Sequence, residues 1–276
     1  MPATGKRRAL GQHFLRDPAV ARAIVDLVSP TPRDLVVEIG PGEGALTGLL
    51  SERAGGFLAL EVDPALAERL AGRFDVREAD ARTFDYRSLS APGGRVLVVG
   101  NLPYSVSKPI LMRLTEAHAT LAEMALMLQR EVAERVAARP GGKTYGALSV
   151  LTQLHWEVRL ALRVPPGAFR PPPRVESAVL HLTSRAEPAV PVTDDARFRR
   201  VVLAAFGQRR KAVANALAAG LHRSVATTRA WLAVTGIDPG RRAETLSLDD
   251  FARLANTLEC QAQAERSASQ ARLGRA

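Results

Sequence analysis

The sequence predicts an α/β fold in which a doubly wound parallel sheet is followed by a small all-helical domain. Three observations support this prediction. Short apolar runs alternate with helical patterns through the first two thirds of the chain, which is typical of successive βαβ units. A segment with two prolines and no periodicity, residues 185–195, interrupts the pattern. Only helical patterns follow it, so we expect a separate helical domain there.

Two strand–helix units open the predicted sheet. The apolar run Leu35–Ile39 leads through a glycine-rich turn into a helical pattern. A second run, Phe57–Leu60, leads into a helix that starts at Pro64. Proline suits the first turn of a helix and Asp63 before it suits the N-cap, so the second helix is predicted to begin there.

The other elements of the sheet domain follow in order. They are a short strand within residues 75–83, a strand at Val96–Val99, a helix at 109–118, a strand at Ala125–Gln129 and a helix at Arg130–Ala138. Residues 155–166 and 176–185 alternate apolar and polar side chains, which indicates an antiparallel pair of long strands at one edge.

The sheet domain is placed at residues 1–188 and the helical domain at residues 189–276. Four helices are predicted in the latter, at Ala196–Phe206, Lys211–Ala219, Ser224–Val234 and Ser247–Leu258. Ser247 suits the N-cap of the last helix because acidic residues follow in its first turn. Few large apolar residues occur from about residue 260 onward, so a disordered tail is predicted.

Positive charge is concentrated in the last third of the chain. The net charge is +10, and residues 196–276 hold 14 Lys and Arg against 6 Asp and Glu. Residues 1–195 are nearly balanced, with 24 against 22. A basic appendage on a near-neutral body suggests a polyanionic partner, above all nucleic acid. The alternative is an arginine-rich composition that only keeps the protein soluble.

Composition also excludes several classes of protein. No apolar run approaches the roughly 18 residues of a membrane span, and no signal-peptide core follows the basic N-terminus. Cys260 is the only cysteine, which excludes an intramolecular disulfide or a cysteine-cluster metal site and suits a cytoplasmic protein. The remaining histidines lack ligand spacing, so no metal is predicted.

Glycines and acids mark a nucleotide crevice at the ends of the first strands. Gly40, Gly42 and Gly44 form a strand-to-helix turn in which a ligand can lie against the backbone. Glu61 ends the next strand, where a carboxylate of a Rossmann-like sheet can accept hydrogen bonds from ribose hydroxyls. Asp80, after the third strand, could accept one from an adenine amino group. This combination predicts a cofactor that contains a nucleoside.

The charge of the glycine turn distinguishes among such cofactors. Glu38 and Glu43 lie in and beside the turn, where they would repel the pyrophosphate of a dinucleotide. S-adenosylmethionine instead carries a sulfonium and an amino group, together with adenine and a ribose diol. We therefore predict S-adenosylmethionine as the cofactor.

The tetrapeptide Asn101-Leu102-Pro103-Tyr104 ends the fourth strand, where it would face the transferred methyl group. Asn101 Oδ1 and the Leu102 carbonyl could accept the two hydrogens of an exocyclic amine, and Pro103 helps to hold that carbonyl outward. Tyr104 offers a flat face on which a base can stack. Alternatively the tetrapeptide is an ordinary turn in which Tyr104 only packs; its position in the sheet favours catalysis.

Together these motifs resemble the ribosomal RNA adenine dimethyltransferase family, and most of all its bacterial small-subunit enzymes. The stretches that carry the resemblance are "GQHFL" (Gly11–Leu15), "EIGPGEGALT" (Glu38–Thr47), "LEVD" (Leu60–Asp63), "ADA" (Ala79–Ala81), "NLPY" (Asn101–Tyr104), "LQREVAERVAARPGGKTYGALSVL" (Leu128–Leu151), "VPPGAFRPPPRVESAV" (Val164–Val179) and "FGQRRK" (Phe206–Lys211).

The resemblance implies a methyltransferase domain with a helical C-terminal domain and S-adenosylmethionine as methyl donor. It implies dimethylation of N6 on two adjacent adenosines near the 3′ end of 16S rRNA, in the small ribosomal subunit or its precursor, by a cytoplasmic monomer. The implied cofactor contacts, extended to neighbours in the same motifs, are His13, Leu15, Gly40, Gly42, Glu61, Asp80, Ala81 and Asn101. Phe169 is the implied second aromatic at the target base. The family often has Asn where this chain has His13.

The candidate RNA contacts are Arg209, Arg210 and Lys211, together with Lys108. The first three lie at a predicted helix start, where cations oppose the helix dipole. A phosphate-binding cluster is therefore the functional interpretation and a solvated turn the alternative. Two other functions stay open: an assembly factor whose methylation is secondary, and a methyltransferase for 23S rRNA with antibiotic resistance, for DNA adenine or for a small molecule.

Overall fold

The computed structural model describes residues 13–258. The predictions for the basic N-terminus, for Cys260 and for a disordered tail lie outside the described residues. No helix between residues 13 and 258 is long and apolar enough to cross a bilayer.

A seven-stranded sheet forms the centre of the first two thirds of the chain. Its strands are β2 (Leu35–Ile39), β3 (Gly56–Glu61), β4 (Val76–Glu78), β5 (Val96–Asn101), β6 (Glu123–Gln129), β7 (Trp156–Val164) and β9 (Ser177–Ser184); β1 (Phe14–Leu15) and β8 (Phe169–Arg170) pair separately. The strand order is β4-β3-β2-β5-β6-β9-β7. The first five are parallel, whereas β9 is antiparallel to both β6 and β7. The predicted parallel sheet with an antiparallel edge is confirmed.

Burial on both faces explains the apolar runs of the central strands. Val36 and Val37 on β2, and Val98 and Val99 on β5, are each 0 % exposed although successive side chains point to opposite faces. A parallel sheet is ordinarily covered on both sides, which is why its strands lack polar alternation.

Six helices accompany these strands. They are α1 (Pro18–Val28), α2 (Thr47–Ser51), α3 (Pro64–Ala71), α4 (Ser107–Thr115), α5 (Arg130–Val136) and α6 (Ala147–His155). α3 begins as predicted: Pro64 occupies its first turn, and the Asp63 side chain accepts a hydrogen bond from Ala65 N at 3.0 Å. The cap fixes where the chain turns away from the carboxyl end of β3.

The chain divides into two compact units. The first comprises Met1–Ala137 with His155–Ala186, and the second Ala138–Leu154 with Glu187–Ala276. The later boundary lies near the predicted residue 188, but residues 138–154 fall in the second unit and not in the sheet domain. The reason is hydrophobic: Tyr145, Val150 and Leu154 are buried in the core cluster of the second unit.

The second unit is helical, with α7 (Asp195–Phe206), α8 (Val213–Gly220), α9 (Val225–Val234) and α10 (248–258). Its core includes Trp231 and Phe251, both fully buried. Ser247 caps α10 reciprocally with Asp250: Asp250 N donates to Ser247 Oγ at 3.1 Å, and Ser247 N donates to Asp250 Oδ2 at 3.0 Å. This capping box confirms the predicted helix start.

The start of α8 differs from the prediction. Residues 207–211 form turns, and the helix begins at Val213 instead of Lys211. Val213 N donates to the Arg241 carbonyl at 2.6 Å, which satisfies one of the donors left open at a helix N-terminus. The basic residues therefore precede the helix and do not lie within its first turn.

Candidate active site

A cavity opens at the carboxyl ends of the parallel strands in the first unit. It encloses about 1040 Å³ of empty volume, mouth included, which suits a ligand that bears a nucleoside. The predicted cofactor residues that line it are His13, Leu15, Gly40, Gly42, Glu61, Asp80, Ala81 and Asn101, and Leu102, Pro103 and Tyr104 line it too. They converge because neighbouring parallel strands end at the same edge of the sheet.

The glycine turn between β2 and α2 brings backbone to the cavity. Gly40 and Gly42 have φ values of +63° and +58°, a region that strains any residue with a side chain. A Cβ on Gly42 would lie 2.9 Å from Cδ1 of Phe14. Both the backbone conformation and the adjacent ring therefore require glycine at position 42.

Glu61 organises this turn with a buried carboxylate. Its side chain accepts hydrogen bonds from Gly42 N at 3.2 Å, Val62 N at 2.9 Å and Asp63 N at 3.0 Å. Burial raises the pKa of Glu61, and these backbone donors oppose the rise. Because the Gly42 N–H faces a carboxylate, the turn is not arranged for a pyrophosphate. A carboxylate with further acceptor capacity fits the ribose diol of S-adenosylmethionine.

The two acids that suggested a cationic ligand are in different states. Glu38 is 1 % exposed and accepts a hydrogen bond from Thr47 Oγ1 at 2.7 Å. Burial raises the pKa of Glu38 to about 8, against the hydrogen bond from Thr47 and with a smaller contribution from the charge of Glu61. Glu43 forms an ion pair with Arg16. Negative charge at the turn therefore comes chiefly from Glu61, which the charge argument had not used.

Asp80 is paired with Arg82, two residues farther along the chain. Arg82 Nε lies 3.0 Å from Asp80 Oδ1 and 2.9 Å from Oδ2, and Nη2 lies 2.5 Å from Oδ2. The hydrogen bonds from Arg82 lower the pKa of Asp80. An adenine amino group would share this carboxylate with Arg82, which also lines the cavity.

The Asn101 side chain is oriented by the main chain of His13. Asn101 Nδ2 donates to the His13 carbonyl at 2.8 Å, so the donor end of the amide is engaged and Oδ1 is the end left to accept. His13 Nδ1 donates to the Pro171 carbonyl at 2.8 Å, and the His13 ring centroid lies 5.5 Å from that of Tyr104. His13 thus contacts two residues of the predicted catalytic tetrapeptide.

The tetrapeptide is also tied to the neighbouring strands. Leu102 N donates to the Met127 carbonyl on β6 at 3.1 Å. The Tyr104 hydroxyl lies 2.5 Å from Ser177 Oγ on β9. Burial raises the pKa of Tyr104, and the hydrogen bond with Ser177 opposes the rise. The segment is therefore held at both ends and is more constrained than an ordinary turn.

Comparison with known proteins identifies the family. The family model described as ribosomal RNA adenine dimethylase matches residues 3–259. The chain is 47 % identical over 268 residues to the ribosomal RNA small subunit methyltransferase A of Moorella thermoacetica, with 92 % of each chain covered. The chain belongs to the ribosomal RNA adenine dimethylase family.

Solved structures agree with this assignment of the dimethylase. A dimethyladenosine transferase from Plasmodium falciparum has a TM-score of 0.72 at 22 % identity, with 88 % of this chain and 96 % of that chain covered, and shares the fold. The 23S rRNA methyltransferase ErmE has a TM-score of 0.64 at 27 % identity, with 89 % and 99 % covered. The predicted α/β methyltransferase fold, enzyme class and S-adenosylmethionine dependence are confirmed.

Two predicted residues of the dimethylase first unit lie away from the cavity. Phe169 is not among the described residues that line it: the ring is 4 % exposed and packs in a hydrophobic cluster with Ala125 and Val164. The cause is the pairing of β8 with β1, which places Phe169 opposite Leu15. Lys108 is exposed in the first turn of α4, directly after the tetrapeptide.

The three basic residues predicted in the second unit divide into two kinds. The Arg209 guanidinium donates to the carbonyls of Lys143 at 2.8 Å and Tyr145 at 3.1 Å, so it holds a loop. Arg210 and Lys211 are exposed, and neither has an ion-pair partner within the described range 13–258. The structure therefore separates Arg209 from its two neighbours.

Sequence reasoning missed three residues that shape the dimethylase site. Phe14 packs on the glycine turn and was visible only as part of the "GQHFL" motif. Arg82 could have been suspected from its position two residues after Asp80. Ser177 gave no local signal, because its contact with Tyr104 depends on which strand neighbours β6.

Proposed function

We propose that this enzyme transfers methyl groups from S-adenosylmethionine to N6 of two adjacent adenosines near the 3′ end of 16S rRNA, giving N6,N6-dimethyladenosine. The name shared by the matched bacterial relatives, ribosomal RNA small subunit methyltransferase A, favours the small subunit over the 23S alternative. The substrate is the small subunit or its precursor, and the enzyme acts as a cytoplasmic monomer.

The orientation of Asn101 carries this proposal. An exocyclic amine offers two N–H donors, and it needs acceptors that aim its lone pair at the methyl group. With Nδ2 bound to the His13 carbonyl, Asn101 presents Oδ1 as one acceptor. The Leu102 carbonyl supplies the second, held in place by the bond from Leu102 N to Met127. Two acceptors favour a more pyramidal and hence more nucleophilic nitrogen.

An aromatic surface beside these acceptors holds the base. Tyr104 is half-buried, lines the cavity and is fixed at its hydroxyl. The target adenosine must leave its stack to reach the tetrapeptide, and stacking on Tyr104 offsets part of that cost. Phe169 takes part only with a movement of its ring out of the core cluster.

The cofactor lies along the glycine turn when bound. S-adenosylmethionine supplies a methyl group attached to a positively charged sulfur. Glu61 accepts from the ribose diol, Asp80 accepts from the adenine amino group, and the glycines at 40 and 42 allow close approach of the backbone. The other cofactor contacts are His13, Leu15, Ala81 and Asn101.

The enzyme needs no strong general base for this transfer. As the N6 lone pair forms the new N–C bond, the nitrogen acquires positive charge and its proton becomes acidic. Water or a weak acceptor can then take the proton. Asn101 and the Leu102 carbonyl therefore act by positioning and by stabilising positive charge on the nitrogen.

Basic side chains dock the RNA outside the pocket. Arg210 and Lys211 in the second unit, and Lys108 after the tetrapeptide, are exposed and suited to phosphate contacts. Such contacts position the RNA without reading its sequence. Arg209 stabilises the fold of the second unit.

Mass spectrometry of nucleosides tests the proposal. Small-subunit particles with unmethylated RNA are incubated with the protein and S-adenosylmethionine, and large-subunit particles serve as the control. We expect N6,N6-dimethyladenosine at two adjacent positions in 16S rRNA and none in 23S rRNA. Methylation of 23S rRNA alone would overturn the proposed target.

A further inference from the structure

Ser177 contacts Tyr104 from a strand that belongs to the antiparallel edge of the sheet. The Ser177 side chain is 0 % exposed, and its Oγ lies 2.5 Å from the Tyr104 hydroxyl. The contact joins residues 73 positions apart in sequence. A buried hydroxyl at this point faces the tip of an aromatic ring that lines the cavity.

The two partners differ in how firmly they are held. Ser177 sits in the middle strand of three, opposite Gln129 on β6 and Val164 on β7, so hydrogen bonds hold its backbone from both sides. Tyr104 lies in the irregular segment between β5 and α4. A ring attached only at Cα can rotate about χ1 and χ2, whereas a ring also fixed at its oxygen cannot swing. The stiff partner therefore sets the orientation of the mobile one.

We propose that Ser177 is a positioning residue for methyl transfer: its hydroxyl fixes the plane of the Tyr104 ring so that a ring face meets the target adenine. The inference rests on the proposed role of Tyr104 at the base. A base stacked on a loosely held ring would reach the near-attack geometry less often, which slows the chemical step. The second transfer is more sensitive, because a monomethylated N6 has one proton left for two acceptors.

Single-turnover methylation of unmethylated small-subunit particles at saturating cofactor tests this inference. The variants are Ser177→Ala, Tyr104→Phe and the double variant, which remove the same hydrogen bond from either side or from both. Ser184→Ala is the matched control, since Ser184 lies on the same strand and its Oγ donates to the His118 carbonyl at 3.0 Å. Thermal unfolding and calorimetric affinity for S-adenosylmethionine are measured on each.

Ser177→Ala and Tyr104→Phe should each slow the transfer about threefold to tenfold, the effect of losing one buried hydrogen bond. The double variant should be no slower than either single variant, because one interaction has been lost in all three. The fraction of monomethylated product should rise, while particle affinity and cofactor affinity stay unchanged. Ser184→Ala should match the wild type in rate.

Tyr104→Ala separates the two ways in which the experiment can fail. If Tyr104→Ala is slow but Ser177→Ala has the wild-type rate and product ratio, the positioning role of Ser177 is wrong and the role of Tyr104 stands. Additive losses in the double variant would also overturn the inference, since they would mean that Ser177 acts through something other than Tyr104. A wild-type rate for Tyr104→Ala would instead reject the proposed function of Tyr104 at the base.

Discussion

Asn101 Nδ2 donates a hydrogen bond to the main-chain carbonyl of His13 at 2.8 Å, across 88 positions of sequence. This contact decides which end of the amide faces the cavity. Because the partner is a backbone carbonyl, it can only accept, so the amide oxygen is directed to the other side. A side chain at position 13 can vary, as it does in the family, without changing that carbonyl.

Replacement of Asn101 by Ala should slow the chemical step far more than it weakens RNA binding. We expect a loss of about 10²–10³-fold, as for other preorganised polar groups, and a changed ratio of mono- to dimethylated product. The assay is single-turnover with saturating cofactor, because Asn101 also lines the cofactor cavity. Asn215→Ala, at an exposed position of α8, is the control. A wild-type rate and product ratio for Asn101→Ala would reduce the tetrapeptide to a structural turn.

Replacement of Glu61 by Ala should weaken the binding of S-adenosylmethionine. A hydrogen bond to a charged group contributes about 1.5–3 kcal/mol, and the variant also removes the acceptor for Gly42 N. Glu78→Ala removes the same charge from an exposed residue paired with Glu61 in the β3–β4 ladder, and it should bind normally. Calorimetry measures both affinities. If Glu61→Ala folds normally and binds as tightly as Glu78→Ala, its assignment to the ribose is wrong.

Local patterns predicted the elements of the fold and most of the candidate site. Apolar runs, the Asp63 cap and the Ser247 capping box are short-range signals, and each lies where it was expected. The glycines and acids converge because parallel strands end at one edge. These features need no knowledge of which distant segments touch.

Long-range packing decided what the sequence could not. Residues 138–154 joined the second unit because Tyr145 is buried in its core, which no local pattern reveals. Phe169 was drawn inward by the pairing of β8 with β1. The prediction of three equivalent basic contacts was wrong for Arg209, since its partners lie more than 60 positions away.

Gly42→Ala should disturb both the fold and cofactor binding. The backbone at φ +58° costs an L-residue about 1–2 kcal/mol, and the new Cβ would approach the Phe14 ring to 2.9 Å. Gly48→Ala is the matched control, because nothing lies within 4 Å of a Cβ at that helical position. Chemical denaturation should show a loss of stability only for Gly42→Ala, and Gly48→Ala should be neutral or stabilised by up to about 1 kcal/mol. Equal behaviour of the two variants would contradict the described turn.

The double variant Arg210→Ala/Lys211→Ala should bind small-subunit RNA more weakly without losing stability. Two lost phosphate contacts should lower the slope of log affinity against log salt by about one to two. Arg209→Ala should show the opposite profile: reduced thermal stability, because two loop carbonyls lose their donor. Filter binding over a salt series, paired with thermal unfolding, separates the two effects. An unchanged salt slope in the double variant would place RNA contacts elsewhere.

Glu38 should make the protein less stable as the pH rises from about 5 to 8. Its pKa in the folded protein is raised to about 8 from an ordinary value of 4.5. Between these values the unfolded chain releases the proton that the folded chain retains, so rising pH favours unfolding, by at most about 1.4 kcal/mol per pH unit. The stabilising difference is fully present below about pH 4.5 and is lost as the pH passes through the folded value.

Glu38→Gln keeps a neutral acceptor for Thr47 Oγ1, which donates to Glu38 at 2.7 Å. The variant should therefore lose this part of the pH dependence and become more stable than the wild type above about pH 8. Glu78→Gln, at an exposed position, should follow the wild-type curve. Urea unfolding at a series of pH values gives all three curves. If the wild type and Glu38→Gln run parallel between pH 5 and 8, the Glu38 carboxyl is ionised in the folded protein, and the negative charge of the glycine turn is shared by Glu38 and Glu61.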